Sequence, residues 1–202
     1  MELEMLKITN HVKTGKLAGF QSLNTSVLEN SFCSKMRETD SICKSCYAVT
    51  MEKRFKGMRE NICSNGDLLS ASILNYSELP AINSLYFRFH SVGELINEEH
   101  FINFVNITNK NPRTTFVLWT KRKNIVDSVL KDIKKPENLI LVFSDAKVDN
   151  SNQRIPANFD KMFSVYSKEG AQNVDINCNK KCKDCLLCYQ HNDVKFIREL
   201  LK

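Results

Sequence analysis

Leu139-Ile140-Leu141-Val142-Phe143 is an unbroken run of five apolar residues, closed by Ser144-Asp145. A strand with one wet face alternates; an uninterrupted run of this kind is a strand buried on both faces, as in a parallel sheet. Working outward, Thr115-Phe-Val-Leu-Trp119 and Leu85-Tyr-Phe-Arg-Phe89 read as two more strands. Helical stripes separate the three. Phe101, Phe104, Val105 and Thr108 follow a cap at Asn97, with Glu98 and Glu99 where the helix dipole favours acids. Ile125, Val126, Val129, Leu130 and Ile133 follow a cap at Asn124 and stop before Pro136. Such alternation predicts a parallel sheet with right-handed crossovers.

Farther out, Gly19–Ser26 alternates loosely, as a first strand can, after the turn Lys13-Thr14-Gly15-Lys16. Ala48, Met51, Phe55 and Met58 predict a helix from Tyr47 to about Ile62. Ser64-Asn65-Gly66-Asp67 should break it, with a shorter helix over 67–77. Met162–Tyr166 and Asn173–Asn177 complete six strand candidates, and Asp193 should cap a last helix carrying Val194, Ile197 and Leu201. Six units suit either a partial barrel or an open doubly wound sheet. No Gly-x-Gly-x-x-Gly follows the first strand and no phosphate-binding Gly-Lys-Ser/Thr occurs. The expectation is therefore α/β, a partial (βα)6-type barrel of mainly parallel strands, with Cys-rich loops at the C-terminal strand ends.

The 202 residues, 42% hydrophobic and 26% charged, suit a single domain spanning 1–202 and exclude a disordered chain. Met-Glu-Leu-Glu-Met-Leu-Lys lacks the basic flank and apolar run of a signal peptide, and no apolar window is long enough to span a bilayer. A cytoplasmic protein with no membrane association is expected. The net charge of +6 is spread over Lys53, Arg54, Lys56 and Arg59, over Lys121-Arg122-Lys123, and over Lys180, Lys181 and Lys183. Solvated helix faces and counter-charge for thiolates account for it, with an acidic partner such as nucleic acid as the alternative.

Seven of the eight cysteines fall into two groups: Cys33, Cys43 and Cys46, and Cys178, Cys182, Cys185 and Cys188. In a reducing compartment such spacing points to metal rather than disulfides. Cys63 alone fits a buried hydrophobe. The knot 178–188, expected to pack on the rest of the domain, compresses four thiols into Cys-x3-Cys-x2-Cys-x2-Cys. Zinc sites usually separate two Cys-x2-Cys pairs by a dozen residues or more, so a 4Fe–4S cluster is favoured here. Three arrangements remain open for the first group. It could hold a cluster with one iron free for an exogenous ligand. Cys63 could complete its coordination, or Cys43 and Cys46 could share one zinc with Cys185 and Cys188. At the strand ends, His90 and Glu94 are candidate catalytic residues; His90 could equally be a ligand or a hydrogen-bonded strand-end residue. Trp119 reads as core, whereas Thr120 and Lys121 face the mouth.

Phe20-Gln-Ser-Leu-Asn-Thr25, Cys33, Cys43-Lys-Ser-Cys46-Tyr47-Ala48, Phe87-Arg-Phe-His-Ser-Val-Gly-Glu94 and the terminal knot together resemble the "gene product 88" family of phages and mobile elements. The likeness covers most of the chain. That family in turn resembles short radical S-adenosylmethionine (SAM) enzymes, which implies a six-unit partial barrel with a three-cysteine cluster loop after its first strand. A Gly-Gly-Glu segment at the second strand end receives the amino group of SAM in those enzymes. Gly93 and Glu94 stand in that place, and Ser144-Asp145 end the would-be fourth strand, so these four are the implied SAM-binding residues. The resemblance implies one or two 4Fe–4S clusters, SAM as small-molecule partner, and an electron donor such as flavodoxin or ferredoxin. The other class of function kept beside it is a non-catalytic iron–sulfur or zinc module that binds nucleic acid or senses redox state. Three departures from the enzyme pattern stand out: the spacing is Cys-x9-Cys-x2-Cys, Ser45 replaces an aromatic, and a single glycine precedes Glu94.

Overall fold

The structure, a computed structural model, describes residues 5–11 and 15–201. Lys13 and Thr14 of the expected turn lie outside them. Seven strands form one open sheet in chain order. They are β1 (Ile8–Asn10), β2 (Gln21–Leu23), β3 (Tyr86–Phe89), β4 (Thr115–Thr120), β5 (Leu139–Val148), β6 (Lys161–Tyr166) and β7 (Phe196–Leu200). β1 runs antiparallel to β2, and every later neighbour is parallel. A doubly wound sheet reverses its strand order part-way. This one does not.

Side chains alternate between the faces of a strand, so each strand feeds two layers. Leu23, Phe87, Phe89, Phe116, Leu118, Leu139 and Leu141 share one core with Leu69 of α3 (Lys56–Ala71), Phe101 and Phe104 of α4 (Glu98–Lys110) and Ile125 and Val129 of α5 (Lys123–Val129). Phe89 stacks on Phe104 with ring centroids 4.0 Å apart and on Phe116 at 5.1 Å. Burying one such ring is worth about 1.5–3 kcal/mol. On the opposite face Val117, Ile140, Val142, Phe163, Val165 and Ile197 meet Phe20, Cys188 and Tyr189. The run at 139–143 thus feeds both layers, as its unbroken apolarity predicts. Helices cover one face, and cysteine-bearing segments cover the other.

Several expectations need correction. The sixth parallel strand is 196–200, not 173–177, and the expected last helix does not form. Lys195–Leu200 instead satisfies the open edge of β6 with five registered pairs, Met162↔Phe196 to Tyr166↔Leu200, a tertiary demand that overrides helical spacing. Residues 170–173 make a 3-10 turn. The helix break falls at Phe55, which is extended (φ −114°, ψ 91°), between α2 (Tyr47–Arg54) and α3. Ser64-Asn65-Gly66-Asp67 stays helical. Asn65 is consumed by tertiary bonds, accepting from Lys7 N and donating to Lys7 O and Asn24 O, and Gly66 lets Ile96 approach. α5 is capped at Arg122 rather than Asn124 and ends at Val129, short of Pro136. β1, in a stretch that reads only as polar, is an additional strand. Asn97 does cap α4, accepting from His100 N at 3.1 Å.

Candidate functional site

A cavity of about 590 Å³ opens where the second face meets the C-terminal strand ends, and all seven clustered cysteines line it. Cys63, on α3, is only half-buried and is not among the lining residues.

The first group is not a loop, as expected, but a set of short capped elements. α1 (Ser31–Arg37) carries Cys33; Asn30 caps it, accepting from Phe32 N at 3.0 Å and Cys33 N at 3.2 Å. The same side chain donates to Glu94 O at 3.0 Å, tying the helix to the end of β3. Cys43 lies in a 3-10 turn (Ile42–Ser45), and Cys46 is the N-cap of α2. Beneath them the buried Glu52 accepts from Ser26 Oγ at 2.7 Å and Val27 N at 2.6 Å, fixing the chain between β2 and α1. Burial, then Glu94 and the Cys43 and Cys46 thiols, push Cys33 up to about 12. Burial also raises Cys43, against the pull of Lys121.

The second group surrounds the single turn α6 (Cys182–Cys185) in the β6–β7 crossover. Lys16 Nζ donates to Cys178 O (2.6 Å), Cys178 Sγ (3.2 Å) and Glu199 Oε1 (2.8 Å). Cys178 N donates to Arg198 O, and Cys182 N to Lys16 O. Burial pushes Cys188 up to about 12; the Arg88 guanidinium opposes this, and the other three thiols add to it. Within each group the thiols thus penalise one another's ionisation, as anionic ligands do before a cation neutralises them. Among the described residues no three His, Cys, Asp or Glu side chains converge on one point, as a single metal ion would require.

The strand-end residues separate. Gly93 (φ +111°) presses on Thr25; a Cβ there would meet Thr25 Oγ1, O and N at 2.5–2.9 Å. Asn24 Oδ1 accepts from Ser91 N and Val92 N, locking the same turn. Glu94 is buried in the cavity wall, where its carboxylate accepts from Leu95 N (2.8 Å), Lys121 N (2.7 Å) and the Thr120 hydroxyl. Burial raises its pKa, and Lys121 and these donors oppose the rise. Thr120 therefore turns to Glu94 rather than to the mouth, while Lys121 lines the cavity and donates to Ser144 Oγ at 2.8 Å. Ser144 belongs to the cavity and Asp145 does not: a register shift in β5 after Ser144 sends Asp145 to accept from Lys147 N and Asn150 Nδ2. His90 (φ +59°) lines the cavity, but burial, then His100 and Arg88, hold it well below the ordinary histidine range. Its Nδ1 has no partner, and its Nε2 sits 3.4 Å from Thr25 Oγ1.

Sequence reasoning missed Arg88, Lys16, Glu52 and Tyr189. Arg88 left a signal: in Tyr86-Phe-Arg-Phe89 a charge between two core phenylalanines must face the other side of the sheet. Its guanidinium lies over Trp119, 3.9 Å from the ring centroid, so Trp119 is a wall of the cavity rather than core. Glu52 left no signal; nothing local distinguishes it from a solvated helix acid. No helix among the described residues is long and apolar enough to cross a membrane.

The sequence model of a family described as gene product 88 matches residues 5–197. No curated protein and no solved structure matches the chain.

Proposed function

The chain belongs to the gene product 88 family, and we propose that it is an iron–sulfur enzyme of radical-SAM-like type, of phage or mobile-element provenance. One observation carries the reading. Thiols from opposite ends of the chain line one cavity at the C-terminal edge of a parallel sheet, where α/β proteins place their chemistry. Cys33, Cys43 and Cys46 would hold a 4Fe–4S cluster with one iron free of protein ligation, and Cys178, Cys182, Cys185 and Cys188 a second, closed one. When bound, such clusters would supply electrons one at a time, the chemistry that reductive cleavage of SAM requires. A cubane spreads its thiolates over four irons, farther apart than the ligands of one tetrahedral ion. The compressed Cys-x3-Cys-x2-Cys-x2-Cys spacing of the second set favours a cluster over zinc, whose sites usually separate two Cys-x2-Cys pairs by a dozen residues or more.

The chain's own residues then have definite tasks. Lys16, Arg88 and Lys121 offset thiolate charge. Gly93 brings its backbone against Thr25 and so sets the strand end beside Cys33. A carboxylate offers about four acceptor positions; Glu94 uses three on the protein and keeps one for an ammonium donor. His90, held neutral, braces the strand end. Helices on one face of a chain-order sheet are also the winding of a partial barrel, the fold this reading implies. An external flavodoxin or ferredoxin would reduce the second cluster.

Anaerobically purified protein should be brown and contain iron with an equal amount of acid-labile sulfide. Colourless protein holding stoichiometric zinc after anaerobic expression overturns the proposal.

A further inference from the structure

Lys180-Lys181-Cys182-Lys183 puts three lysines within four residues, at the turn that carries the second cysteine group. All three are exposed, and their ammonium groups make no hydrogen bond or ion pair among the described residues. The thiols do not account for them: the cations that oppose burial at Cys178, Cys182 and Cys188 are Lys16 and Arg88. Asp184 is the one acid in the knot, so like charges are held side by side without a matching number of counter-charges. On the segment that carries the first group, the exposed Glu38 and Asp40 offset Lys35 and Lys44. The unmatched charge is therefore concentrated on the side of the second group.

An aromatic ring stands at the same cavity. Tyr47 is 63% exposed, although its hydroxyl donates to Ser91 O at 2.7 Å. That bond fixes the ring at the end of β3 and leaves it bare. Leu200 and Leu201 also line the cavity and are exposed. The bond from Cys178 N to Arg198 O lays the lysine run beside them. Cations that follow a phosphate backbone, next to an aromatic face that receives a flat ring, are the two elements of a single-strand nucleic-acid site. A protein partner would need an apolar centre and about 800 Å² on each side. Here the centre of the face is the cavity itself, and the exposed apolar groups stand only at its lip.

We propose that single-stranded nucleic acid binds across the mouth of the cavity, with its phosphates on Lys180, Lys181 and Lys183 and one base on the ring of Tyr47. This rests on the reading of the cavity as a reaction chamber, and it names the substrate class of that chamber: a nucleotide within a strand. A duplex keeps its bases stacked inside and offers Tyr47 none to receive.

The test is fluorescence anisotropy of anaerobically purified protein with short labelled oligo(dT) and oligo(U), and with a duplex of equal length, at about 50 to 200 mM salt. Single strands should bind more tightly than the duplex, with an affinity that falls as salt rises. Lys180→Gln, Lys181→Gln and Lys183→Gln combined should weaken binding about tenfold. They should also lower the slope of log affinity against log salt by about two, since each phosphate contact of a single strand contributes roughly 0.7. Tyr47→Ala should weaken binding about tenfold with the slope unchanged, as loss of stacking does, and Tyr47→Phe should keep most of it. Tyr47→Leu takes the place of Tyr47→Ala if the latter does not fold. The inference fails if no strand binds, if the duplex binds as well as the single strand, or if either the lysine variant or Tyr47→Ala binds like the parent protein. It also fails if the lysine variant loses iron along with binding, because the lysines then serve the cluster. Strands that do not bind, beside salt-sensitive binding of an acidic flavodoxin through the same lysines, overturn it in favour of a protein-docking face. Protein that binds strands but holds no iron sinks the cluster proposal and leaves this one standing; brown protein that binds no strand does the reverse.

Discussion

The two cysteine groups share one cavity and are held there by opposite means. The first rests on buried, mostly neutral polar groups: Asn24, Thr25, Ser26, Asn30, Glu52 and Glu94 are all nearly inaccessible and tie the segments at 24–46 to the end of β3. The second rests on a short turn with exposed Lys180, Lys181 and Lys183 around it, and on the permanent cations Lys16 and Arg88. On the proposed reading, three thiols in a rigid buried frame would leave a coordination place unfilled by protein. Four thiols on and beside a compact turn would fill theirs. The difference teaches that the same residue type at similar spacing can be held by a buried polar frame or by surface cations, set by what lies behind it.

The comparison breaks most visibly in metal content. Cys43→Ala and Cys185→Ala should each remove about half of the iron and sulfide, leaving the other group loaded. Adding SAM should change the electron paramagnetic resonance spectrum of reduced Cys185→Ala and leave that of Cys43→Ala unaltered. A variant that empties both groups, or responses that appear in the reverse order, would end the distinction between open and closed sets.

Acid should act on the frame of the first group. Burial pushes His100, packed edge-on against His90, down to about 3. Its folded-state pKa is below the ordinary 6.5, so between those values the unfolded chain binds a proton that the folded one refuses. Stability is then flat above about pH 6.5 and falls on acidification by up to about 1.4 kcal/mol per pH unit. Denaturant midpoints from pH 7 to pH 4 should show this slope in the metal-free protein, and His100→Gln should reduce it, leaving the part due to His90, which burial also holds below its ordinary range. Glu94 adds the opposite tilt: its pKa is raised, so its burial costs stability as pH climbs past the ordinary carboxylate range of about 4.5. Glu94→Gln should remove that loss.

Gly93→Ala should cost about 1–3 kcal/mol, combining a positive-φ penalty with the clash against Thr25. The damage should fall on the first group alone, read as lost iron in the Cys185→Ala background but not in Cys43→Ala. The smallest effect is expected at the second group. Lys16→Met removes the donor to Cys178 and Glu199 at a half-buried site, worth about 1 kcal/mol in thermal melts. The loss should shrink in high salt, whereas that of Gly93→Ala should not.

What the sequence by itself determined is the parallel centre of the sheet and the sets of thiols. The runs at 86–89, 115–120 and 139–143 carry enough apolar residues to define strands wherever they are placed, and Asn97 with Glu98 and Glu99 marks a helix start through purely local bonds. The cysteine groups were legible for the same reason, since their proximity is written in the chain. Tertiary structure alone decided the rest. Val194, Ile197 and Leu201 have helical spacing, yet Phe196–Leu200 form a strand, because an open parallel edge offered them a ladder of hydrogen bonds. Ser64-Asn65-Gly66-Asp67 looks like a breaker yet stays helical, because Asn65 finds its partners in β1's approach and in Asn24. Asp145 left the site through a shift of register, and Arg88 entered it because its neighbours needed the other face. Local composition fixes which residues seek burial or ligands. Only assembly of the sheet, which brings residues 16, 33–46, 88 and 178–188 around one space, decides which of them meet.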